Sequence, residues 1–310
     1  MSPLSLAFLK RKRGFFHFVR LLCLALIVTW LIVLGSLSFD YVNSLTLPGC
    51  IAGGPKPAGF EPLSLQTPDG YTLRGWYHAP VNGVVILLLA GNGGNRDGML
   101  PDAALLARHG YGSLTLEYRN CAGGRSSLGY READDLRLMA EFALAQPGVT
   151  RLGALGFSAG STAVIRGAAR LPEIKAVVAE GNYYNLDYEI RNAPAVPLSL
   201  EWQIQNLVVL SYRGLIGVWP VEVSPVSDLP AISPRPVLLV FGEKEIANNR
   251  GYDQLAAARE PKQMWVVPGV GHGGYFQAWP EEYERRIIEF FDMSLRMQAH
   301  IKKFDNQPFN

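Results

Sequence analysis

Arg151-Leu-Gly-Ala-Leu-Gly-Phe-Ser-Ala-Gly-Ser-Thr-Ala163 is the stretch on which the reading of this chain turns. It opens as a strand through Leu155, passes through Gly156-Phe157-Ser158-Ala159-Gly160, and continues in small helix-forming residues. G-x-S-x-G between a strand and a helix has a mechanical meaning: the serine sits on a sharp, strained turn that lifts its hydroxyl above the carboxyl end of a sheet. Gly156 and Gly160 lack the Cβ atoms that would clash in such a turn, and Ala159 is small for the same reason. The following helix aims its positive end at the hydroxyl.

Working outward, the flanking sequence alternates strand and helix. Val84 to Leu89 is a continuous apolar run, as expected of a central strand covered on both faces. It leads into Ala90-Gly-Asn-Gly-Gly-Asn95 and a helical segment to His109. Strands are expected at Ser113–Tyr118, Thr150–Leu155, Ile174–Ala179, Pro236–Phe241 and Gln263–Val267. Helices are expected at Arg131–Ala145, Tyr252–Arg259 and from Pro280 to about Arg296. Two further strands, Leu63–Thr67 and Tyr71–His78, meet at an Asp69-Gly70 turn. This rhythm implies right-handed crossovers and an α/β domain with a mostly parallel sheet. Gly181 to Ser227 interrupts it with Tyr183, Tyr184, Tyr188, Trp202, Tyr212 and Trp219. That segment is expected to cap the carboxyl edge of the sheet, with a helix starting near Pro197 and ending near Gly214, its aromatics serving mainly as cap core.

The N-terminus belongs to another class of structure. Residues 21–39 carry no charged side chain, which is enough for a helix to cross a bilayer core. Lys10, Arg11, Lys12, Arg13 and Arg20 precede them without an acid, which places the N-terminus in the cytoplasm and the remainder across the membrane, on the periplasmic, extracellular or lumenal side. Ser36-Leu37-Ser38 would suit a signal-peptide cleavage site, but the apolar run is longer than a signal core, so an uncleaved anchor is expected. Leu47-Pro48-Gly49-Cys50 resembles a lipoprotein box and is set aside, because Asp40 and Asn43 part it from the apolar run. The expected organisation is therefore a basic N-terminus (1–20), an anchor (21–39), a linker (40–59), one domain (60–298, cap about 182–227) and a tail (299–310).

Of 29 basic groups, the first 20 residues hold five, which leaves 24 against 27 acids in the remainder. A nearly neutral domain argues against nucleic acid as a partner. Three cysteines make neither a zinc spacing nor a disulfide scaffold. Cys50 and Cys121 could pair in an oxidising compartment, but each is expected as an idle thiol.

A serine hydroxyl needs a base within hydrogen-bond reach, itself held by a carboxylate. His17, His78 and His109 precede the serine, and His300 falls at the frayed end of the last helix. His272, in Pro268-Gly-Val-Gly-His-Gly-Gly274, follows a strand and is flanked by glycines, so it is the candidate base. Glu245, in the turn after the preceding strand, is the candidate acid; Glu243 and Glu180 are alternatives. The oxyanion of an acyl-transfer intermediate needs N–H donors, for which Ala159 and Asn92 are the candidates through their backbones.

These motifs together resemble the α/β-hydrolase superfamily, and within it membrane-anchored serine hydrolases whose loop after the third strand reads H-G-N-x-G-N, here Ala90 to Asn95. The family's Y-R-G-x-G-x-S loop resembles Tyr118 to Ser126, its acid segment resembles Pro236 to Glu245, and its G-x-x-H resembles Gly269 to His272. The resemblance implies an eight-stranded sheet with helices on both faces, a Ser158–Glu245–His272 triad, and cofactor-free hydrolysis of esters or related acyl bonds on a small acyl or lipid-like substrate. Three departures stand out: Ala90 replaces the loop histidine, Asn120 and its neighbours alter the Tyr-Arg-Gly loop, and Glu245 replaces an aspartate. A peptidase or acyltransferase would use the same triad, and a binding protein could keep the fold with a drifted site.

Overall fold

The computed structural model describes residues 3–51, 53–191 and 194–296. The expected tail (299–310) and His300 lie outside the described residues. The chain opens with one unbroken helix, α1 (Pro3–Thr46), whose stretch Phe15–Thr46 is long and apolar enough to cross a membrane.

The expected change from helix to linker at residue 40 is corrected, because α1 continues to Thr46. Leu34, Ser38, Val42 and Thr46, four residues apart, form a buried stripe, while Asp40 faces solvent. Residues at that spacing share one face of a helix. Burying an aliphatic side chain contributes about 1.5–3 kcal/mol. The propensity cost of an Asp or Asn in a helix is about 0.7 kcal/mol at most. Docking therefore wins over local preference.

The domain follows the expected alternation. β1 (Glu61–Gln66), β2 (Thr72–His78) and β3 (Val84–Leu89) lead to α2 (Leu100–Arg108) and β4 (Gly112–Leu116). Then come α3 (Glu132–Leu144), β5 (Arg151–Phe157), α4 (Ala159–Arg170) and β6 (Ile174–Glu180). The cap carries α5 (Leu186–Arg191), α6 (Leu200–Ile216) and α7 (Pro225–Asp228). β7 (Val237–Gly242), α8 (Gly251–Ala257), β8 (Lys262–Val267), α9 (Tyr275–Ala278) and α10 (Pro280–Phe291) complete it.

The eight strands lie in the order β1-β2-β4-β3-β5-β6-β7-β8. β1 with β2 and β2 with β4 are antiparallel, and all other neighbours are parallel. Successive residues of β3 serve opposite faces. Val85, Leu87 and Leu89 pack with Leu136 and Met139 of α3 and Val164 of α4. Val84, Ile86 and Leu88 pack with Leu105 and Leu106 of α2 and Ile287 of α10. All six residues are buried, which explains the run without polar alternation.

A third cluster joins the cap to the N-terminal helix: Val42 packs with Val208, Tyr212 and Ile216 of α6 and with Leu128 and Leu186. The hydroxyl of Ser199 accepts the N–H of Trp202 (3.2 Å) and starts α6. The helix crosses Gly214, expected as its end, and stops at left-handed Gly217, because Ile216 is held in this cluster. The cap aromatics divide: Tyr212 is fully buried as cap core, whereas Trp219 is exposed.

Candidate active site

β5 delivers Ser158 at φ 56° and ψ −121°, a positive-φ conformation that a non-glycine residue adopts only under constraint. The constraint is tight packing on both sides. A Cβ on Gly160 would run into the carbonyl oxygens of Leu89 and Ala90, and one on Gly156 into the backbone of Gly160. The N–H of Ser158 donates to the carbonyl of Glu180 (2.7 Å), pinning the turn to the end of β6.

The loop after β8 brings His272 over this turn. Nε2 of His272 lies 2.9 Å from Oγ of Ser158, and Nδ1 lies 2.6 Å from Oε2 of Glu245. An ionised carboxylate only accepts, so Nδ1 carries the proton and Nε2 is left to accept the serine hydroxyl. The ring of Phe157 lies against the imidazole, with centroids 4.9 Å apart. Glu245 is buried. Its Oε1 accepts the N–H of Gly242 (2.8 Å) and the hydroxyl of Tyr275. Burial, followed by the adjoining Glu245, pushes the Tyr275 phenol far above its ordinary range, so it stays a donor.

The two alternative acids go elsewhere. Oε2 of Glu243 accepts the N–H of Gly269 (2.8 Å) at the exposed start of the histidine loop. Glu180 is buried near Asp102, whose Oδ1 accepts the hydroxyl of Tyr283 (2.7 Å). Burial, and then the charge of Asp102, raise the Glu180 carboxyl well above its ordinary value.

The 90s loop passes directly beside the serine. A Cβ on Gly91 would sit 3.3 Å from Cβ of Ser158. Ala159, as the first residue of α4, has no partner for its N–H within that helix. The side-chain amide of Asn92 is used elsewhere, donating to the carbonyl of Leu45 at the end of α1 (2.8 Å). Ala90, the departure from the family pattern, is packed so closely by Gly94 and Gly98 that the loop closes around its methyl group.

The expectation that Cys50 and Cys121 are idle thiols is corrected: they form a disulfide. The pair is 71 residues apart in sequence, so spacing could not reveal it. The other departure, Asn120, donates its amide to the carbonyl of Pro48 (3.0 Å). Ser126 donates its N–H to the carbonyl of Thr46 (2.8 Å), and Asn95 donates its amide to that of Ile51 (3.0 Å). The altered loop therefore serves to hold the segment that leaves α1.

A cavity of about 290 Å³ opens beside Ser158 and His272, walled by Tyr183, Tyr188, Glu189 and Asn249. Burial raises the Glu189 carboxyl. Among the described residues, no group of three or more His, Cys, Asp or Glu is placed to hold a metal ion.

The esterase Pf2001 of Pyrococcus furiosus superposes with a TM-score of 0.64, at 21% identity, over 81% of this chain and 98% of that one. The alpha/beta hydrolase GrgF of Penicillium superposes with a TM-score of 0.58, at 18% identity, over 77% of this chain and 99% of that one. The chain has the α/β-hydrolase fold. No protein-family model matches it. An uncharacterized protein of Mycobacterium tuberculosis is 27% identical over 284 residues, spanning 86% of this chain and 92% of its own.

Within the α/β-hydrolase fold, sequence reasoning missed two side chains that brace the site. Tyr275 carries a faint signal, an aromatic residue directly after the glycine pair that follows His272. Phe157, inside G-x-S-x-G, stands at a position the motif leaves open.

Proposed function

We propose that this chain is a serine hydrolase that cleaves ester or related acyl bonds through an acyl-enzyme on Ser158. The observation that carries this is the hydrogen-bonded chain from Ser158 through His272 to Glu245, at 2.9 and 2.6 Å. Oγ of Ser158 attacks the carbonyl carbon as its proton passes to Nε2 of His272, and Glu245 stabilises the imidazolium. The oxyanion lies toward the N–H groups of Ala159 and Asn92; one such donor contributes about 3–4 kcal/mol to lowering the barrier. The bond to the leaving alcohol or thiol breaks, and His272 returns the proton to it. Water, deprotonated by His272, then releases the acid and regenerates Ser158. Esterases among proteins of the same fold are consistent with this chemistry.

In the same reading α1 anchors the enzyme in a membrane, with the basic residues before Leu21 in the cytoplasm and the domain on the far side. The Cys50–Cys121 disulfide supports an oxidising compartment for the domain. A fluorophosphonate probe tests the nucleophile. Covalent label on Ser158, with ester turnover reduced to background in Ser158→Ala, is the expected result. A folded protein whose serine stays unlabelled would dismiss the reading.

A further inference from the structure

Three cavities with shared walls run from Ser158 to the N-terminal helix. The first is the catalytic cavity described above, polar at its walls through Glu189 and Asn249. Tyr188 also lines the second, of about 510 Å³, together with Tyr184, Gln205 and the charged Asp187, Arg191 and Arg250. Gln205 in turn lines the third, a groove of about 340 Å³ between α1 and α6. Five of the groove's other residues, Leu34, Leu37, Ile190, Ile204 and Val208, are aliphatic. The second and third fall within the range of ligand sites, roughly 300–1,000 Å³, and the first lies at its lower edge. Charged side chains line the two cavities nearer the nucleophile and none lines the α1–α6 groove, which suits a molecule with a reactive polar head and a hydrocarbon tail.

The position of the groove says where such a molecule comes from. One wall is α1 itself, within the stretch apolar enough to span a membrane. α6 runs alongside in the same direction: Gln203 near its start accepts the indole N–H of Trp30 (3.0 Å), and Tyr212 near its end packs with Val42. From Trp30 to Phe39, about 14 Å of helix at 1.5 Å per residue, the apolar run has the cap beside it. At the Trp30 end the cap exposes Val196, Leu198, Leu200 and Ile204. A cluster of exposed aliphatic side chains at the level of an apolar span suits lipid rather than water.

We propose that the substrate is a long-chain amphiphile taken from the bilayer, whose hydrocarbon tail lies in the α1–α6 groove while its acyl carbonyl reaches Ser158 past Tyr188. This rests on reading Ser158 as an acyl-transfer nucleophile and α1 as the membrane helix, and it names the substrate class for that site. A soluble short-chain ester would leave the groove empty and gain nothing from α1.

The test uses the full chain in phosphatidylcholine vesicles and a hexadecyl fluorophosphonate with a photoreactive diazirine near the free end of the alkyl chain. The expected result is a phosphonyl adduct on Ser158, with light-induced insertion in peptides containing Leu34 to Tyr41 or Ile204 to Val208. An adduct on Ser158 with insertion only elsewhere overturns the groove. No adduct on Ser158 removes the acyl-transfer reading and the proposal with it. Independently, Ile204→Trp should lower the ratio of kcat/KM for p-nitrophenyl palmitate to that for the butyrate at least tenfold. An unchanged ratio would refute the route.

Discussion

Tyr275 donates its hydroxyl to Oε1 of Glu245, the carboxylate oxygen that His272 does not use. With the Gly242 N–H on the same oxygen, the carboxylate is fixed in plane before it meets the imidazole. A hydrogen bond to a charged group contributes about 1.5–3 kcal/mol. Tyr275→Phe should therefore lower kcat roughly tenfold or more with KM nearly unchanged, as a positioning residue requires. Steady-state kinetics on a soluble ester would check it; a rise in KM at constant kcat would assign the tyrosine to substrate binding instead.

The two glutamates of the Gly242–Glu245 turn separate by partner. Glu245→Gln removes the charge facing His272 and should cost about three to four orders of magnitude in kcat. Glu243→Gln keeps an acceptor for the Gly269 N–H and should stay within a few-fold of the wild type. Measured side by side, a larger loss at Glu243 would reverse the assignment.

Glu180 gives a pH signature in stability rather than in rate. Its carboxyl is raised in the folded state by burial first and by Asp102 second, so the native protein binds that proton more tightly than the unfolded chain does. The contribution to stability is fully present below the ordinary carboxylate range and is lost as pH rises through the folded-state value. Glu180→Gln, which is neutral at every pH, should raise Tm above that of the wild type at alkaline pH, with the gain shrinking toward acid. Thermal melts across pH would show it; a gain that is independent of pH would point to packing instead.

The Cys50–Cys121 bond closes a long loop. Chain entropy for a closure of that size gives about 4 kcal/mol of stabilisation. Cys50→Ser should lower stability by up to that amount. Comparing denaturant midpoints with and without reductant would test it, since the variant should no longer respond to reductant.

Much of the candidate site's geometry was legible because acyl transfer of the proposed kind would demand particular residues at particular bends. Gly156 and Gly160 had to flank Ser158, and His272 was the one histidine placed after a late strand within a glycine loop. The buried run of β3 marked the sheet interior. What sequence reading could not reach depends on contacts between distant segments. Nothing local to Asp40 or Asn43 favours continuing a helix; the stripe from Leu34 to Thr46 does so by docking, Val42 on α6 and Thr46 against the loop at Ser126. Asn120 and Cys121 looked like a spoiled family motif, and their partners, Pro48 and Cys50, lie some 70 residues earlier. Tyr275 was unreadable because its value lies in one oxygen of Glu245.

The way α1 ends has a practical meaning for anyone preparing this protein. Val42 shares a cluster with Tyr212 and Ile216; Thr46, Pro48 and Cys50 are each tied to the Asn120–Ser126 loop, and Ile51 to the 90s loop beside the serine. Trimming the N-terminal helix to obtain a water-soluble fragment would strip the cap of its cover and leave a sticky flank prone to self-association. Preparations that keep residues 15–51 are the ones in which the site would stay whole.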